Sequence, residues 1–346
     1  MTRAARTALA LAACLAGAIA LPRVHAQADS LAQARRELLL MGSRFAFGAY
    51  ADSEATAERA VAVGIAEVER IERLISSWDP DSETSAVNAA AGGAPVAVSG
   101  ELIELVARCA KVSALTDGAF DITAGGLGGL YRFAGQDTVL PAAEQLRTAT
   151  ALVDYRAVEI DRAAGTLRIA QPGMRIGFGA IGKGYAANRA RAAMAEVEGV
   201  RGGVVDASGD LATFGRGADS TWHIGIADPR HPDRWLGQLD VAGDAAVVTS
   251  GDYEKYFTAG GVRYAHIIDP RTALPTTGVR SATVACADAE VADALATAIF
   301  VLGHEVGVQL LDRLRGVEGL VVAADGSLHT SSGLSLAPYE SPADGQ

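Results

Sequence analysis

The sequence predicts an α+β protein, on three observations. Stretches with helical period lie toward both ends of the chain, at 55–74 and 289–314. A block of short β-rich segments lies between them, over 202–286. Strands and helices do not alternate in the regular way that a doubly wound parallel sheet requires.

Taken in order, the chain opens on a secretory pattern. Arg3 and Arg6 precede an apolar run of 14 residues, Ala8 to Leu21, which is short for a bilayer span. Pro22 then breaks the run, and Val24-His25-Ala26 has the small-x-small form of a cleavage site after Ala26. A rival pattern, Leu11-Ala12-Ala13-Cys14, fits a lipoprotein signal that would anchor the chain through Cys14. Either reading sends the protein out of the cytoplasm, to the periplasm. Residues 27–36 read as an exposed leader, and 37–340 as one domain.

Ala55 to Leu74 carries Val61, Ile65, Val68, Ile71 and Leu74 on one helical stripe. Ser99 is placed to cap a helix from Leu102 to Leu115. Two strands, 157–161 and 165–170, flank an Ala-Ala-Gly turn. Gly182 to Val197 is helical after a Gly-rich loop. Strands follow at 202–206, 222–227, 236–241, 245–249, 262–268 and 280–286. Helices at 289–302 and 304–314 come next, and two short strands end the chain.

With 346 residues the chain is long enough for a sizeable core. Its net charge is −11, without a basic run, which argues against nucleic acid as a partner. Removing 1–26, with three Arg and no acid, takes the charge to −14. Of three cysteines, Cys109 and Cys286 survive cleavage, each in an apolar run that favours a buried free thiol.

Four clusters could carry chemistry. Gly177-Phe-Gly-Ala-Ile-Gly-Lys183-Gly184 sits where a strand meets a helix, so free helix N–H groups and Lys183 could hold an anion. An ordinary Gly-rich turn would look the same. The chain has three lysines against 27 arginines, so a lysine kept in this loop suggests a need for a compact ammonium. Asp293 and Thr297 are i and i+4 on one helix, and both present the hard oxygens that Mg²⁺ takes. A first-turn acid and a core threonine would give the same pattern. His266 through Thr272 ends a strand in a Pro-led turn with His, Asp and Arg close together. There His266 is an acid–base candidate or a structural histidine. Asp117 through Thr123 places Phe120 between acids, where a ring could be walled and Asp121 could accept ring N–H groups.

In this order the clusters resemble the ApbE family of FAD:protein FMN transferases. Met41-Gly42-Ser43, Trp78 through Ser85 to Asn88, Gly118-Ala119-Phe120-Asp121 and the loop 177–184 match successive family motifs. So do Ser250 to Tyr253, His266 to Thr272 and Asp293 to Thr297, and the likeness spans 37 to 335. The resemblance implies a single α+β domain related to the T-fold. It implies Mg²⁺ held by the Ala180 carbonyl, Asp293 and Thr297, with Ala296 adjoining. It implies FAD contacts from Met41, Trp78, Ala119, Phe120, Asp121, Gly177, Lys183 and Ile267. FMN would pass from FAD to a Ser or Thr hydroxyl of an exported acceptor protein of an electron-transfer system, with AMP leaving. His266 and Lys183 are the catalytic candidates, and a homodimer is compatible with the pattern. An FAD pyrophosphatase or a non-catalytic periplasmic flavin-binding protein would use the same motifs. The family's loop acid is Gly177 here, its Asn-x-Gly-Gly is Asp206-Ala207-Ser208-Gly209, and its Pro-Arg-Thr-Gly ends in Ala273.

Overall fold

The computed structural model describes residues 31–133, 139–217 and 220–339, so the N-terminal signal features lie outside the described residues. In chain order come strands β1 (Ala32–Leu40) and β2 (Ser43–Ala51), helices α1 (Glu54–Ile75) and α2 (Glu83–Ala89), and strand β3 (Val96–Ala97). Helices α3 (Gly100–Leu115) and α4 (Ala143–Thr150) precede strands β4 (Val158–Asp161) and β5 (Thr166–Ile169). Helix α5 (Gly182–Ala195) leads into strands β6 (Val200–Ala207), β7 (Asp210–Gly215), β8 (Trp222–Ala227) and β9 (Trp235–Val241). Strands β10 (Ala245–Gly251), β11 (Tyr256–Ala259), β12 (Val262–Ala265) and β13 (Val279–Cys286) follow. Helices α6 (Ala289–Leu302) and α7 (His304–Leu311) and strands β14 (Glu318–Ala323) and β15 (Leu328–Thr330) complete the order.

Eight strands form one sheet, β1-β2-β6-β7-β10-β13-β14-β15, whose order across the sheet is also the order along the chain. Every neighbouring pair in it is antiparallel. The α+β expectation therefore holds. Period-2 alternation divides the two faces. Phe45, Phe47, Ala212, Phe214, Ala246, Val248 and Val284 belong to the main core. Helix α1 packs over β1 and β2, α5 over β6 and β7, and α6 over β10 and β13. The alternate residues Tyr50, Leu211, Val247, Leu320 and Val322 form a second core with Trp222, Ile224, Ile226 and Leu239 of the β8–β9 hairpin. That hairpin is closed by the end of the chain. Gln238 and Ala337 exchange backbone hydrogen bonds of 2.9 and 3.0 Å, and Tyr339 stacks on Trp235 at 4.3 Å.

Local signals explain the helices. Ser53 Oγ accepts from Thr56 N at the start of α1, and Ser99 Oγ accepts from Leu102 N at the start of α3. The buried stripe of α1 includes Ala57, Val61, Gly64, Val68 and Ile71. A Cβ on Gly64 would lie 2.7 Å from Met194 Sδ, so this glycine lets α1 and α5 pack closely. Two expectations need correction. From Ala32 onward the stretch read as a leader is β1, an edge strand paired along its whole length with β2. Its Arg35, Arg36 and Glu37 made it look like exposed leader, and charged outward residues are common on an edge. The strand expected at 262–268 stops at Ala265, because Asp269 Oδ1 accepts from Arg271 N and the Pro270 turn begins. Cys109 is fully buried and free, whereas Cys286 is only half-buried, with Sγ 3.1 Å from the Asp288 carbonyl. Among the described residues, no helix is long and apolar enough to cross a membrane.

Candidate active site

The site grows from the meeting of two helix N-termini. Helix α5 starts after the Gly-rich loop with Ile181 at its N-cap, a residue that has no side-chain oxygen to offer the free N–H groups. Asp293 of α6 substitutes for it, because Gly184 N donates to Asp293 Oδ2 at 2.9 Å. The approach is so close that a Cβ on Gly184 would lie 2.1 Å from the Ala289 carbonyl oxygen and 2.6 Å from Asp293 Cβ. Asn188 clamps the pair from one turn further on. Its amide donates to Asp288 Oδ1 at 2.6 Å and its oxygen accepts from Ala289 N at 3.0 Å. Asp288 in turn caps α6 by accepting from Val291 N.

Charge concentrates beneath this junction. Parity along the strands puts Asp210 with Ala212 and Ser250 with Val248, on the helix-facing side of the sheet. Asp210 is 1% exposed, and its Oδ2 lies 2.8 Å from Lys183 Nζ. Burial alone would push the Lys183 ammonium down, yet Asp210, then Asp293 and Glu254, hold it above the ordinary lysine range. Burial raises both Asp210 and Asp293, with Lys183 pulling each back. Thr297 Oγ1 is 3.4 Å from Ser250 Oγ, a long contact that leaves its oxygen available.

These donors fit a hard divalent cation. Two buried acids and Glu254 surround one lysine, an excess of negative charge in a poorly solvated place. Among the described residues no group of three or more His, Cys, Asp or Glu could hold a metal ion. A cation here would therefore take mixed donors of the carboxylate, hydroxyl and carbonyl kind, the set Mg²⁺ accepts. Ala180 is half-buried in the turn before α5. Ala296 is fully buried within α6.

His266 lies against an aromatic cluster, with Phe133 edge-on at 6.4 Å and Phe133 in turn 5.6 Å from Phe257. Its Nδ1 is 3.2 Å from the Lys255 carbonyl oxygen, which can only accept. Nδ1 therefore carries the proton, and Nε2 presents a lone pair, 3.9 Å from Glu254 Oε2. Burial is the main cause that lowers its pKa from the ordinary histidine value, so the ring is neutral at pH 7.

The residues expected to touch FAD divide into two groups. Trp78 is 92% exposed and presents a large apolar surface. Its neighbour Ser77 lies by Gly177, and Met41 lies by Gly182, which ties both segments to the loop. Gly177 packs on Gly125 in a close backbone approach, with its N–H donating to the Ile122 carbonyl at 2.8 Å. By contrast, Ala119 and Phe120 are each 1% exposed and Ile267 is 8% exposed, so Phe120 is a core residue here and not an open wall. Asp121 is occupied by its own loop. Its Oδ1 accepts from Thr123 N and Oγ1, and its Oδ2 accepts from Tyr155 N at 2.9 Å. Its pKa is raised, chiefly by burial.

Sequence reasoning gives Asp210 and Glu254 no role, and shows Gly184 and Ser250 only as members of their motifs. Asp210 directly follows Asp206-Ala207-Ser208-Gly209, and a single acid opening an apolar strand was the available signal.

Known proteins of similar sequence and fold cover the same region. The pattern of the family described as ApbE family matches residues 41–321. An FAD:protein FMN transferase of Treponema pallidum (strain Nichols) is 34% identical over 278 residues, 76% of this chain and 76% of that protein. One from Klebsiella pneumoniae (strain 342) is 32% identical over 297 residues, 85% of this chain and 90% of that protein. Among solved structures, an ApbE protein of Thermotoga maritima superposes with a TM-score of 0.78 at 31% identity, covering 87% of this chain and 97% of that one. The flavin transferase ApbE of Vibrio cholerae gives 0.74 at 28% identity, covering 87% and 98%.

Proposed function

The chain belongs to the ApbE family, and we propose on that basis that it is an FAD:protein FMN transferase. The observation that carries the reading is the Lys183–Asp210–Asp293 grouping at the joined N-termini of α5 and α6. In the reaction, a Ser or Thr hydroxyl of an acceptor protein attacks the FMN-side phosphorus of FAD. The P–O bond to the AMP moiety breaks, and AMP leaves with the bond electrons. Such transfers depend on positioning and charge neutralisation more than on covalent work by the enzyme. His266 Nε2 takes the hydroxyl proton. Lys183 stabilises charge on the pyrophosphate. Asp293, Thr297 and the Ala180 carbonyl would hold Mg²⁺, which when bound supplies further charge neutralisation at the phosphates. Trp78 offers its exposed face to a ring of FAD. The apolar run at 8–21 supports export, and hence an exported acceptor.

The direct test is incubation with FAD and an acceptor domain, with and without Mg²⁺. Acceptor heavier by one FMN, with AMP released, is expected. AMP without labelling would favour the pyrophosphatase, and no AMP at all would favour a flavin carrier.

Two further outcomes follow from the geometry. Turnover with neutral His266 as base should be level above pH 6.5 and fall about tenfold per unit on the acid side of a midpoint below that value, read from a pH–kcat profile. A pH-independent acid limb would remove His266 from the proton transfer. Trp78→Ala should raise KM for FAD about tenfold and leave kcat nearly unchanged, since ring stacking contributes about 1–3 kcal/mol to binding.

A further inference from the structure

Asp210 is too deeply buried to meet a substrate, and its one strong partner is Lys183. Among the described residues neither of its carboxylate oxygens has a well-aligned hydrogen bond, so the ion pair is what compensates its burial. Lysine is flexible, with four carbons between backbone and charge, and a point ammonium does not orient itself. Here the backbone end is fixed at the second residue of α5, while the ammonium is fixed by β7 of the sheet below. We propose that Asp210 is a positioning residue that acts through Lys183, holding its ammonium at the α5 N-terminus where the pyrophosphate of the proposed reaction would bind. The proposal rests on the transferase reading only for its kinetic consequence; the pairing itself is a property of the resting protein.

The lysine count makes the pair directly visible. A protein labelled with ¹³C at the lysine ε-carbon gives three signals, from Lys111, Lys183 and Lys255, and loss of one in Lys183→Arg assigns it. Lys183 should stay protonated above the ordinary lysine range, as its pairing with Asp210 at 2.8 Å and its other acid neighbours require. In Asp210→Asn its midpoint should fall by about one unit or more. In the same variant kcat should fall about a hundredfold, with KM for FAD changed less than about threefold. Asp210→Asn added to Lys183→Met should cost nothing further, because the group it positions is already gone.

An ordinary titration of Lys183 in the unmodified protein would overturn the proposal, whatever the variants do. Equal losses from Asp210→Asn in both backgrounds would overturn it too, by showing that Asp210 acts on its own. If the protein transfers no FMN at all, the functional reading fails while the titration still decides the pair.

Discussion

Asp293→Ala loses Mg²⁺-dependent turnover by about a thousandfold or more, read as FMN attached to an acceptor per unit time. The variant removes a candidate metal ligand and also uncaps α5, since Gly184 N loses its acceptor. Asp293→Asn separates the two effects. Its amide oxygen still accepts from Gly184 N, so the helix junction survives, while the charge is gone. Burial already disfavours the charged form of Asp293, so the neutral amide should fold as stably as the parent. Asp293→Asn should therefore unfold at the parent's Tm and be nearly as inactive as Asp293→Ala. Near-normal turnover in Asp293→Asn would remove the carboxylate from the proposed metal set.

Gly184→Ala damages both fold and site. The atoms its Cβ would meet are the Ala289 carbonyl at 2.1 Å, the Ala289 carbonyl carbon at 2.8 Å and Asp293 Cβ at 2.6 Å. None is the tip of a flexible side chain, so the two helices must move apart. Overpacking of this kind costs about 3 kcal/mol, and in a chain of this length Tm should fall by about 4–5 °C. Separation also lengthens the Gly184–Asp293 bond and shifts Lys183 from Asp210, so turnover of the remaining folded protein should drop by more than tenfold. A Tm within about 2 °C of the parent would mean that the junction has slack which the close contacts deny.

The sequence made some parts of this structure plain and hid others for physical reasons. Helices α1, α3 and α6 carry apolar period and polar caps at Ser53, Ser99 and Asp288, signals that are local. The β4–β5 hairpin was legible from its turn. Strand β2 was missed although Phe45 and Phe47 face the main core, because the strand is covered on both faces and its pattern blurs. Asp293 and Thr297 share a face by helix geometry alone, and so could be paired on paper. Asp210 could not be linked to Lys183, since the contact joins residues 27 positions apart through a sheet register no local rule reports. Phe120 was misjudged in exposure for the same reason: its neighbours are distant in the chain.

The packing of residues 337–339 on the β8–β9 hairpin has a consequence for the order of folding. The large sheet follows the chain, so each strand can add to an edge its predecessor has formed. The β8–β9 hairpin is different, because its outer wall waits for Ala337 and Tyr339, about a hundred residues later. Until residues 337–339 pack against it, the hairpin lacks the ring that stacks on Trp235 and the backbone pairing that Ala337 supplies. Residues 337–339 therefore act as a latch on the hairpin, and a chain cut short before them would leave Trp235 without its stacking ring.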